Sequence, residues 1–161
     1  MAVDHRWHWP PGDNLLASLA VSFPAPLLLQ IYLYARYLGT SHLSPDRTGA
    51  LAIVIVSFMR LHAEFARKVV RQPSAEERTY VHNFGFAGTV TAALTATTLS
   101  VVLLLWLAPQ PQALLGLLPL WWVYQPALRL RRTGSRRWSR SAPVLFVFAT
   151  FGVYLVLGLT A

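Results

Sequence analysis

The chain contains no cysteine. That absence removes disulfides, thiolate metal sites, cysteine nucleophiles and covalently attached haem from consideration. Charge is scarce as well: only 12% of the 161 residues are charged, about half the share usual in a water-soluble domain. The acids are scarcest, six Asp and Glu against fourteen Lys and Arg. No Asp or Glu falls deep within a long apolar run, so a carboxylate-based proton or sodium carrier lacks its usual group. There is no His-Glu-x-x-His helix, Gly-x-Ser-x-Gly elbow or P-loop. Neither an internal repeat nor a low-complexity tract stands out.

What remains is 55% apolar and gathered into long runs. A helix crossing the hydrocarbon core needs ~20 apolar residues. Runs at about 15–38, 49–70, 80–107, 113–128 and 142–159 meet or approach that length. They predict an all-α, polytopic transmembrane helical bundle of five spans, or four if 113–128 stops short. The whole of 1–161 then forms one integral membrane domain.

Arginine supports the threading. The gap holding Arg67, Lys68, Arg71 and Arg78 is basic, as is the one holding Arg129, Arg131, Arg132, Arg136, Arg137 and Arg140. The gaps at 39–48 and 108–112 carry little or no charge. Lys and Arg are retained on the cytoplasmic side, so this alternation places the amino terminus inside and leaves Arg36 and Arg47 outside. The expected location is a bacterial-type inner membrane or another energy-conserving membrane. A cleaved leader is disfavoured, because Asp4 and Asp13 precede the first run and its hydrophobicity continues past Pro26. Trp7 and Trp9 are placed at the cytoplasmic interface.

Individual spans carry their own signals. Pro24 and Pro26 should bend the first, which ends in a collar of Tyr32, Tyr34 and Tyr37. In the second, Arg60, Glu64, Arg67, Lys68 and Arg71 recur at helical spacing as a charged stripe. Phe58, Leu61, Phe65 and Val69 form its apolar side, and Gln72-Pro73-Ser74 should end it. Ser74 with Glu77 has capping-box spacing for the next helix. There Gly88, Ala92, Ala96 and Ser100 recur every four residues beside Gly85, Thr89, Ala93 and Thr97. Small residues in register let helices approach closely in lipid. Pro119 and Pro126 mark the fourth span, with Trp121, Trp122 and Tyr124 in its inner half.

Three constellations could carry chemistry. Arg60, His62 and Glu64, with His82 and Asn83 from the next helix, could line a polar pocket open to the cytoplasm. His62 or His82 could ligate a haem iron or a chlorophyll magnesium. Glu64 is equally well explained as neutralised by its basic neighbours at helix-pair spacing. The arginines at 129, 131, 132, 136, 137 and 140 suit anionic lipid headgroups, with Trp138 as an interfacial anchor, rather than nucleic acid. The hydroxyls of Thr89, Thr91, Thr95, Thr97, Thr98 and Ser100 could form a seam for a small oligomeric channel or transporter.

The segment from Glu77 to Asn83 resembles, over less than a dozen residues, the Arg-x-x-x-Asn-x-x-Glu signature of the membrane-associated glutathione and eicosanoid enzyme family. Those proteins are of similar size with four spans. Arg78 stands five residues before Asn83, however, and Phe86 holds the acidic position. No active-site role is carried over.

The expected function is a non-catalytic accessory or assembly subunit, packing against a larger membrane complex or against copies of itself. A membrane enzyme or pigment carrier using the polar pocket is the alternative, and an oligomeric channel the third reading.

Overall fold

The computed structural model describes residues 15–75, 77–107, 111–139 and 141–160. Among these the fold is all helical, with no strand beyond one isolated antiparallel bridge. Two compact units divide between Ser44 and Pro45.

The first unit contains α1 (Leu15–Ser22) and α2 (Pro24–Ser41). The single expected span is broken at Phe23 because neither Pro24 nor Pro26 has an amide hydrogen to donate. The ladder survives the break through Phe23 N–H to the Leu19 carbonyl, at 2.8 Å. The helix runs past Gly39, and His42 ends it in the left-handed region at φ 55°, its amide donating to the Leu38 carbonyl. Arg36, Tyr32 and Tyr37 are exposed.

The second unit opens with α3 (Arg47–Arg67). Its N-cap is Asp46, whose carboxylate accepts from the Gly49 amide at 2.9 Å. The helix ends sooner than Gln72 because the chain turns extended after Lys68, and Arg71 therefore leaves the charged stripe. The buried line of α3 is Ile55, Met59, His62 and Ala66. Phe58 and Leu61, expected on the packed side, are only partly buried.

The next helix, α4 (Val81–Leu107), is not capped by Ser74. Ser74 and Glu77 do bond, the Ser74 amide donating to the carboxylate at 3.1 Å. The turn they close is local, however, and Thr79 begins the helix by accepting from the Val81 amide. Gly85 breaks α4 near its start at φ 70° and ψ 169°, a conformation open essentially to glycine alone. Val90, Ala93, Ala96, Thr97, Ser100 and Leu104 are buried beyond the break. The most extensive helix pairing in the unit is α3 with α4.

A 3₁₀ segment (Pro111–Leu117) leads into α5 (Leu118–Arg132), and α6 (Ser141–Thr160) closes the unit. A Cβ on Gly116 would stand 3.0 Å from Leu104, so glycine allows the 3₁₀ segment to approach α4 closely. Arg129, Arg131 and Arg132 belong to the last helical turn of α5 rather than to a loop. Basic side chains there complement the negative end of the helix dipole.

Two helices, α3 and α4, are long and apolar enough to cross a membrane, and the described part of α6 is a shorter apolar helix.

Candidate functional site

Two polar clusters distinguish the second unit. The first joins the segment after α3 to the segment before α6. Val70 pairs with Arg137 in the antiparallel bridge, and the Arg71 amide donates to the Arg136 carbonyl at 2.8 Å. The Arg71 guanidinium donates to the carbonyls of Leu130 and Arg131, capping the carboxyl end of α5 while lying over the Phe86 ring. Glu77 receives Arg136 at 3.2 Å and Arg137 at 2.5 Å. The Ser74 amide, then Arg137 and Arg136, hold the Glu77 carboxyl below the usual carboxylate range. Thr79 donates to the Lys68 carbonyl, so the two ends of the connection are tied to each other. The two basic gaps of the sequence thus lie against each other.

The second cluster surrounds His62, which is fully buried. Its Nδ1 lies 3.0 Å from the Ala93 carbonyl on α4. A carbonyl only accepts, so Nδ1 carries the hydrogen and Nε2 is left as the acceptor. Phe146 and Trp138 stand edge-on to the imidazole, with ring centroids at 5.1 and 6.1 Å. Trp138, expected as an interfacial anchor, is only 4% exposed. The chain folds back through the Val70 bridge immediately before it, which turns the indole inward rather than toward headgroups.

The five residues of the expected pocket are not brought together. Arg60 is exposed and His62 faces α4 and α6. Two residues along α3, Glu64 is turned elsewhere, bonded to Arg67 at 2.7 Å and Lys68 at 2.8 Å. The Tyr80 hydroxyl donates at 3.4 Å to Glu64 Oε1, the oxygen that Lys68 also pairs with. His82 sits near the start of α4 with Nε2 3.1 Å from the Glu77 carbonyl, and Asn83 is exposed beside it. His62 meets α4 at Ala93 instead, eleven residues further along. The two histidines therefore meet different stretches of the fold.

The expected packing row is divided. Ala96 and Ser100 are buried, Gly88 and Ala92 partly so, and Gly85 forms the break. The neighbouring line of Thr89, Ala93 and Thr97 is fully buried. Thr89, Thr97 and Thr98 donate to carbonyls of their own helix four residues back, so these hydroxyls are already engaged. Thr98 also lies 2.7 Å from the Tyr124 hydroxyl, which links α4 to α5. Arg140 lies outside the described residues.

Sequence reasoning missed Asp46 as a cap, Thr79 as a tie and Arg71 as the lock on α5. The first two had a signal, a Ser-Pro-Asp turn and a threonine two residues before an apolar run. The third had none, because a long-range contact from a basic side chain leaves no local pattern.

No family model, curated protein or solved structure matches this chain.

Proposed function

We propose that the chain is a multi-pass membrane protein of five crossings, with its amino terminus and both basic connections on the cytoplasmic side. It serves as a non-catalytic accessory or assembly subunit of a bacterial-type inner or other energy-conserving membrane. The observation that carries this reading is where large apolar side chains stand. Trp106, Trp121 and Phe148 are 67–71% exposed, while small residues of α4 (Ala93, Ala96, Thr97 and Ser100) share the interior of the same unit with Ile55, Met59, Tyr80 and Phe146. Water disfavours such a surface, whereas lipid tails accept it and reward close backbone packing. The α6 helix rises about 30 Å, near the thickness of the hydrocarbon core. The 3₁₀ segment and α5 together rise about 36 Å if continued in line. Contact between the 69–79 and 133–139 segments agrees with both lying on one side.

A subunit role follows from the polar inventory. The buried hydroxyls of Thr89, Thr97, Ser100 and Thr150 bond their own helices, Glu64 and Glu77 are neutralised, and Trp138 and Phe146 stand against His62. Among the described residues, this arrangement gathers no acid, base and nucleophile together.

The rival reading, a haem or pigment carrier, draws on His62. Donation from Nδ1 to a backbone carbonyl is the way a protein orients a ligating imidazole. A metal would then have to displace the Trp138 or Phe146 ring. Purification from a native membrane in mild detergent separates the readings. A colourless protein with stoichiometric membrane companions supports the subunit. A visible absorption band lost in His62→Ala, with no companion, overturns it.

A further inference from the structure

The arginines at the basic end are not equivalent. Arg71 is held by α5 carbonyls, Arg136 and Arg137 share Glu77, and Arg67 shares Glu64 with Lys68. Arg129, Arg131 and Arg132 are exposed on the last turn of α5, with no carboxylate at ion-pair distance among the described residues. Arg129 and Arg132 sit one helical turn apart and can address one group together, whereas Arg131 lies further round the helix.

The same face of α5 continues away from them as an apolar track. Leu118, Trp121, Gln125, Leu128 and Arg132 recur at steps of three and four, which aligns them along the helix. Leu118, Trp121 and Leu128 are 51–67% exposed, whereas Pro119, Val123, Ala127 and Leu130 on the other side are buried. From Leu118 to Leu128 the helix rises about 15 Å, half the ~30 Å hydrocarbon core. The track is thus as long as one leaflet, and two guanidinium groups with no carboxylate partner among the described residues stand at its end.

We propose that this edge of α5 is a binding site for an anionic phospholipid. The phosphate is held between Arg129 and Arg132, and an acyl chain lies along Leu128, Trp121 and Leu118. Charge selects the class: two cations favour a headgroup without a compensating amine. A nucleic acid or an acidic soluble protein would answer the arginines but leave the Leu and Trp track unused. The proposal rests on the membrane reading above.

The test places the full chain in nanodiscs of equimolar phosphatidylglycerol and phosphatidylcholine with identical acyl chains. Lipids that stay bound after transfer to mild detergent are then counted by native mass spectrometry. The expected result is enrichment of phosphatidylglycerol on the order of tenfold. Arg129→Gln with Arg132→Gln should bring it near unity, while Arg129→Lys with Arg132→Lys and, separately, Arg78→Gln should largely preserve it. Trp121→Ala should lower total lipid retained without altering the preference. Equal retention of the two lipids by the wild type, or unchanged enrichment in the double glutamine variant, would overturn the site. Either result leaves the membrane reading standing. That reading fails separately, if the chain purifies without detergent.

Discussion

Phe146 and Phe148 stand two residues apart on α6, yet the first is fully buried and the second is 71% exposed. The same division separates Trp138, closed against His62, from Trp121 on the outer side of α5. In a water-soluble fold, large apolar side chains gather inside and small or charged ones cover them. Here α4 brings mainly alanine, valine, threonine and serine to its buried side, α3 brings Ile55, Met59, His62 and Ala66, and bulky residues also crowd the exterior. On the proposed membrane reading, burial from water is not what assembles the α3–α4 pair. Close packing and interhelical hydrogen bonds take that place.

The sharpest test of this division is a matched pair of truncations. Phe146→Ala should cost about 3 kcal/mol, near the low end for buried Phe because lipid rather than water is the reference. Phe148→Ala should cost little, so thermal unfolding in one detergent should separate the two variants widely. Similar melting temperatures would remove the distinction between faces. Next in size is Ala93→Leu, which forces a larger side chain into the α3–α4 contact at about 1–3 kcal/mol. Gly85→Ala should cost about 1–3 kcal/mol from backbone strain alone, since nothing lies within 4 Å of the added carbon. An unaffected Gly85→Ala would mean that α4 runs through this position unbroken.

Smaller effects probe the polar contacts. His62→Leu stays close to the same side-chain volume but loses the bond to Ala93, a change of about 0.6 kcal/mol on the scale of membrane helix pairs. The smallest effect belongs to Glu77→Gln at the exposed clasp. The Glu77 carboxyl is held below its ordinary value, so its contribution is present above the unfolded pKa. It disappears as pH falls through the folded value. Wild type and Glu77→Gln should differ slightly at neutral pH, less in high salt, and converge in acid. A difference that grew in acid would contradict the pairing.

The sequence made the helices readable where their signals are local. The apolar run from Tyr80 to Leu107, the Pro24 and Pro26 break and the α6 run all appear as helix within a few residues of expectation. Its boundaries misled where side chains act at a distance. Arg71 looked like one more member of a helical stripe, yet it reaches α5 and the chain there is extended. Trp138 sat among arginines and read as an interfacial anchor, although the bridge beside it carries it inward. The polar pocket failed for a simpler reason. His62 and Glu64 are two positions apart, which on an α-helix points them about 200° apart around the axis. Spacing alone excluded a shared site for that pair, and only the partner helices show where each one goes.

The most direct measurement uses the missing cysteines. Ser74→Cys, Ser135→Cys and Pro111→Cys, each alone, can be labelled in sealed cells and inverted vesicles with a thiol reagent that does not cross membranes. Positions 74 and 135 should label from the cytoplasmic side, and position 111 from the other side only. Labelling of 74 and 135 from opposite sides would contradict the account, as would labelling of all three from one side.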